Sequence, residues 1–137
     1  MLKLKRTITA LALSAITAVT MSVSAFADQG EFNNVTLVKG SGAATTLERK
    51  KTDLEDAVVN VKSGLNGSFC VTFRVRCYSD NSAATNAKYI YVNGKQYLPY
   101  LTGKASLNSY YYLKFELPNI NANNSVTSAT VSGIWEP

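Results

Sequence analysis

The chain has 137 residues, of which 14 are Lys or Arg, nine are Asp or Glu and none is His. Without histidine it cannot build a Ser-His-Asp or cysteine-histidine relay or a histidine-bearing zinc site, and two cysteines alone cannot close a thiolate zinc site. The formal charge of +5 is poor grounds for a nucleic-acid partner. The first 27 residues carry three of the bases and none of the acids, so the remainder holds 11 minus 9, or +2.

Those first 27 residues read as an export signal. Lys3, Lys5 and Arg6 form a positive start, Ile8 to Val23 is apolar with interspersed hydroxyls, and Ala25-Phe26-Ala27 offers small residues for cleavage. A retained membrane anchor is the alternative, set back by the short, hydroxyl-broken apolar run. Cleavage after Ala27 would leave residues 28–137 as a single secreted, extracellular domain, with no later stretch long enough to span a bilayer. That length suits one modest core.

Beyond the signal, turn residues separate short runs with period-two alternation. Phe32 to Val38 reads as a strand with Val35 and Leu37 on one face, ended by Gly40-Ser41-Gly42. Thr45 to Asp56 is the most charged segment and reads as a solvated loop or exposed edge strand. Its functional alternative is an interaction loop, or a weak cation site at Asp53, Glu55 and Asp56, which lacks the ordered spacing of a calcium loop. Ala57 to Lys62 alternates again, and Ser63 to Gly67 reads as a turn.

The stretch Ser68 to Tyr78 places Phe69, Val71, Phe73, Val75 and Cys77 on one side. Cys70, Thr72, Arg74, Arg76 and Tyr78 fall on the other. Asn93-Gly94, between Lys88–Val92 and Lys95–Leu101, predicts a two-residue hairpin. Pro99 ends or edges the second arm. Tyr111, Leu113, Phe115 and Leu117 alternate with Tyr110, Tyr112, Lys114 and Glu116, and Val126 to Trp135 forms a last strand with Ala129, Val131 and Trp135 inside. About seven short strands with regular turns predict an all-β domain, a single antiparallel β-sandwich or open barrel.

The two cysteines lie in one expected strand. Seven residues apart, they would be held about 20 Å from each other, whereas a disulfide needs Cα atoms within about 7 Å. A Cys70–Cys77 bridge is therefore disfavoured despite the oxidising location. Cys77 is expected in the core and Cys70 exposed.

No glycine-rich phosphate loop precedes a helix. A glycosidase carboxylate pair would have to come from Asp53, Glu55, Asp56, Asp80 or Glu116. No cofactor is expected, and the chain does not read as an enzyme. Leu98-Pro99-Tyr100-Leu101-Thr102-Gly103 is one residue too long for a sortase signal and lacks a hydrophobic tail.

Tyrosine is the remaining signal. Tyr89, Tyr91, Tyr97, Tyr100, Tyr110, Tyr111 and Tyr112 crowd the segment from the expected hairpin to the next strand. Alternation turns Tyr110 and Tyr112 outward beside Lys114, while Arg74 and Arg76 face outward as a possible anion-binding stripe. Exposed aromatic rings stack on sugars or anchor protein partners. The plain alternative is that tyrosine suits strands, burying its ring and wetting its hydroxyl. Tyr89, Tyr91, Tyr110, Tyr112, Lys114, Arg74 and Arg76 form the candidate binding surface.

Several stretches together carry a resemblance. They are Lys51-Thr-Asp53, Ala57 to Gly64, Phe73-Arg-Val-Arg76, Leu98-Pro-Tyr-Leu101, Tyr110-Tyr-Tyr-Leu113 and the terminal Val131-Ser-Gly-Ile-Trp-Glu-Pro137. The chain resembles small secreted proteins of Gram-positive bacteria (Firmicutes) that end in Gly-x-Trp-x-Pro, some grouped as the DUF2712 family. The resemblance implies export and one β domain, and it brings no activity and no site residues. The expected function is non-enzymatic binding of a cell-wall glycan or a surface protein through the tyrosine-rich face. A secreted bacteriocin-like antagonist and a small glycan hydrolase are the alternatives.

Overall fold

A computed structural model describes residues 29–137, so the export signal expected over 1–27 lies outside the described residues. Seven strands follow one another: β1 (Gly30–Val38), β2 (Ala44–Thr45), β3 (Arg49–Lys50), β4 (Ala57–Cys77), β5 (Lys88–Leu98), β6 (Tyr110–Glu116) and β7 (Ser128–Glu136). They build one antiparallel sheet in the order β1-β7-β4-β6-β2, with β3 also on β6 and β5 on the other edge of β4. Past the end of β1, Lys39 N–H bonds the Thr127 carbonyl and Gly40 N–H bonds the Leu117 carbonyl. These contacts help to curl the sheet into a nearly closed barrel. Of the two expected architectures, the barrel is the one observed.

The 21-residue β4 unites what the sequence suggested were two strands and a turn. Its first part, Val58 to Ser63, pairs with β7, and its last part, Thr72 to Cys77, pairs with β6, while β5 runs along the opposite edge. The expected turn at Ser63–Gly67 is thus a pair of irregularities inside one strand. Pairing with β5 moves from Val61↔Gly94 to Asn66↔Val92 to Val71↔Ile90, so five steps of β4 match two of β5 each time. Gly64 (φ +108°) and Gly67 (φ +90°) supply the left-handed conformations this bulging requires. Gly64 has a second reason to be glycine, since a Cβ there would lie 2.2 Å from the Thr130 carbonyl oxygen.

The expected Asn93-Gly94 hairpin is also overturned. Both residues lie within β5, and Asn93 lacks the positive φ that the turn needs. Instead the Asn93 side-chain oxygen accepts the Leu65 N–H at 3.0 Å. It satisfies a donor that the bulge in β4 pulls out of the ladder.

Inward-facing side chains form a continuous core. Phe32, Phe73 and Phe115 meet at its centre with ring centroids 5.0 to 5.9 Å apart. A bulge at Asn34 (φ +49°) shifts the parity of β1, so that both Phe32 and Leu37 point inward. The terminal Gly-x-Trp-x-Pro stretch is structural. Trp135 is 1% exposed, and a Cβ on Gly30 would lie 2.1 Å from its indole nitrogen. A Cβ on Gly133 would lie 2.5 Å from both the Phe32 ring and the Asn60 carbonyl oxygen.

The charged segment before β4 departs from its solvated reading at one residue. Lys51 is fully buried, its ammonium 2.7 Å from the Glu55 carbonyl oxygen, 3.5 Å from Asp53 Oδ1 and 4.5 Å from the Tyr100 ring centre. Of the three acids the sequence offered to a cation, Asp53 instead faces this ammonium, which closes the loop on itself through the Glu55 carbonyl. Leu47 and Leu54 are exposed, as a wet edge requires.

Candidate functional site

The outer face of β4, between β5 and β6, carries most of the residues expected at a binding surface. Antiparallel register sets them in rungs. Tyr89, Thr72 and Glu116 form one, Arg74 and Lys114 the next, and Arg76 and Tyr112 the third. Tyr91 follows Tyr89 along β5, and Tyr110 lies at the far end of β6 opposite Lys50.

The four outward residues of β4 from position 70 to 76 differ in how they are held. Cys70, expected exposed, is fully buried. Here β4 has passed β7 and not yet met β6, and Asn123 covers the gap. This residue ends a single 3-10 turn, Asn121–Asn123, in the β6–β7 connection. Its side-chain oxygen accepts Cys70 N–H at 2.8 Å, and its amide donates to the carbonyls of Cys70 and Pro118 at 2.9 Å each. Asn123 therefore stands in for a missing strand, with all its contacts made out of water. Nothing in the polar run Asn119–Ser125 marked it out in the sequence.

Thr72 is buried, its hydroxyl 3.4 Å from the Glu116 carbonyl oxygen. Arg76 is also engaged. Its Nε donates to the carbonyl and side-chain oxygens of Asn81 at 3.0 and 3.1 Å, and the Tyr112 hydroxyl donates to the same side-chain oxygen. Asn81 adopts φ +58° in the turn after β4, where turn chemistry in Asp80-Asn81-Ser82 was its visible signal. The neighbouring Asp80 carboxyl is held below its usual pKa by hydrogen bonds from Ser82.

Arg74 differs. Its Nε is buried and has no hydrogen-bond partner. Directly opposite stands Lys114, a like charge. Among the described residues the one salt bridge is Lys51–Asp53, so neither cation on this rung is neutralised by an ion pair. Thr72, Arg74, Tyr89, Lys114, Glu116 and Pro118 line a cavity of about 240 Å³ at this point.

Tyr89 and Tyr91 are 52% and 41% exposed, so their rings are open to a partner. The neighbouring Cys70 thiol raises the Tyr91 phenol above its ordinary pKa. Tyr97 is exposed further along β5, opposite Val58, with the Lys95 ammonium 5.3 Å from its ring centre.

Tyr110 belongs to a different place. With Cys77, Tyr78, Lys104 and Ser109 it borders a cavity of about 380 Å³ at the far end of the sheet. Cys77, expected in the core, is only partly buried there. Behind it, Tyr111 donates its hydroxyl to the Lys104 carbonyl at 2.5 Å and accepts Ser106 N–H at 2.9 Å. Tyr100 meets the Tyr111 ring edge-on at 5.4 Å, and its hydroxyl has no partner. Burial first, and then Tyr111, pushes the Tyr100 phenol far above its ordinary pKa.

The predicted surface is thus divided. Arg74, Lys114 and Tyr89 line one cavity, with the exposed Tyr91 ring next along β5. Arg76 and Tyr112 hold a turn, and Tyr110 faces another cavity. Of the carboxylates at 53–56, that of Asp53 faces the Lys51 ammonium and accepts the Glu55 N–H, while Asp80 is in the turn after β4 and Glu116 on the outer face.

No family model and no curated protein matches the chain. Among solved structures, one titled "Crystal Structure of FLHE" is similar, with a TM-score of 0.37 and 12% identity over 80% of this chain and 95% of that one.

Proposed function

We propose that this protein is a non-enzymatic, secreted binding module that attaches to a cell-surface partner, a cell-wall glycan, through the outer face of β4, β5 and β6. The observation that carries this reading is the exposure of Tyr89 and Tyr91 beside a cavity whose two cations, Arg74 and Lys114, have no acidic partner. Flat rings with a wet hydroxyl cover the apolar face of a sugar, and neighbouring polar groups fix its orientation. A folded β platform holds those groups in place before the partner arrives, which lowers the entropy lost on binding.

Co-sedimentation with isolated cell walls tests the reading. Wild-type protein should pellet with the walls, and Tyr89→Ala/Tyr91→Ala should stay in the supernatant while keeping the wild-type circular-dichroism spectrum. Tyr112 is a poor choice for this test, because its hydroxyl holds Asn81. Wild-type protein that remains in solution would remove the wall-binding reading.

A further inference from the structure

The Arg74–Lys114 rung is an arrangement that the fold itself does not explain. Like charges directly opposite on neighbouring antiparallel strands repel each other, and a buried donor without a partner costs free energy. Arg76, one rung away on the same strands, is given its acceptors by Asn81 in the turn after β4. At Arg74 no acceptor is supplied, and both cations instead line one cavity with Thr72 and Tyr89. The acid in that lining is Glu116, which is exposed, sits opposite Thr72 and makes no ion pair among the described residues.

We propose that this rung is an oxyanion site, in which Arg74 and Lys114 bind the phosphate or carboxylate group of an acidic glycan whose sugar ring lies on Tyr89. The proposal deepens the glycan-binding reading and rests on it for the sugar. The anion requirement stands on the rung alone. A tetrahedral or planar oxyanion supplies the acceptor that Arg74 Nε lacks and relieves the repulsion between the two cations, and charge-assisted bonds of this kind are the strong ones. Arg74 at the cavity wall and Lys114 across from it leave the sugar to one side, where Tyr89 stands in the next rung. Glu116 then acts against the anion and selects for ligands whose charge sits at the Arg74 side.

The test is an NMR titration of the purified protein with inorganic phosphate, glucose 1-phosphate and glucuronate, following the Arg74 Nε–H signal and the backbone amides. Phosphate should shift the Arg74 signal in a saturable way. Arg74→Gln and Lys114→Gln should each weaken phosphate about tenfold or more, and Glu116→Gln should tighten it. Tyr89→Ala should weaken the two sugar acids while leaving inorganic phosphate unchanged. Whichever sugar acid binds more tightly identifies the source of the anion as phosphate or carboxylate.

An unmoved Arg74 signal, or Arg74→Gln and Lys114→Gln that bind phosphate as wild type does, would overturn the site. Thermal melting of both variants separates lost binding from lost folding, since removing one of two facing cations should not lower the melting temperature. The two proposals also fail separately. Phosphate binding without wall pelleting ends the wall reading, and wall pelleting that survives both cation variants ends the anion site.

Discussion

Arg74 and Arg76 are two residues apart on one face of β4, each opposite a β6 residue, yet the structure treats them in opposite ways. Arg76 and Tyr112 both close on Asn81 and make the turn after β4 part of the sheet. Arg74 faces Lys114 with an unpartnered Nε and a cavity in front of it. Lower on the same face, Asn123 seals Cys70 with two hydrogen bonds and holds the Pro118 carbonyl with a third. The ends of this face are tied down and its middle is left open. Residues of equal chemistry therefore differ in role according to what the neighbouring loops bring to them. A basic residue that the fold has satisfied is a structural part, and one that it has left unsatisfied is available to a ligand.

The largest expected effect comes from breaking the tied end at Asn123. Asn123→Ala leaves the Cys70 N–H and the carbonyls of Cys70 and Pro118 without partners in a buried place. It should cost about 3 kcal/mol in chemical denaturation. A loss below about 1 kcal/mol would mean that water replaces the side chain and that this end is not sealed. At the other tied end, Asn81→Ala should cost about 1 kcal/mol, less because the group is exposed. It should also free the Tyr112 hydroxyl, seen as altered tyrosine fluorescence.

The open middle should respond in the contrary sense. Lys114→Gln removes a facing like charge and should leave stability unchanged or raise it by up to about 0.5 kcal/mol, measured by the same denaturation curves. A destabilisation of 1 kcal/mol or more would show that the rung is tied as firmly as its neighbours, against the contrast drawn above.

The smallest effect at neutral pH concerns Tyr100, whose unpartnered hydroxyl is the interior counterpart of Arg74. Tyr100→Phe should change stability by no more than about 0.5 kcal/mol at pH 7. Its effect appears in alkali. The folded-state phenol keeps its proton to higher pH than the unfolded one. Above about pH 10 the unfolded chain therefore binds fewer protons than the folded one, and stability falls as pH rises. Tyr100→Phe removes that loss, so its alkaline unfolding midpoint should lie above that of wild type.

Much of this molecule was legible in the residue order. Period-two alternation placed Ala57, Val59, Val61, Val71, Phe73, Val75, Leu113, Phe115, Val131 and Trp135 inside, and all are buried. Alternation is a local consequence of strand geometry and needs no knowledge of the partner strand. The outward setting of Arg74, Arg76, Tyr112 and Lys114 follows from the same rule. What alternation could not supply was the meaning of glycine and asparagine within a run. Asn93-Gly94 and Ser63–Gly67 carry turn chemistry, and a turn and a bulge use the same left-handed conformations. Which one forms depends on whether a neighbouring strand continues alongside, and β4 and β5 continue alongside each other.

The sequence by itself thus determined an all-β chain, its inward face and the pool of outward tyrosines and bases from which a site could be drawn. Tertiary structure alone decided that four expected strand segments are two long bent ones, that Cys70 is covered and Cys77 partly open, and that Lys51 is buried. It alone separated Arg74 from Arg76. The reason is physical: side-chain direction is set by backbone geometry within a few residues, whereas burial and hydrogen-bond satisfaction depend on groups such as Asn81, Asn123 and Glu55, brought in by loops whose paths alternation does not specify.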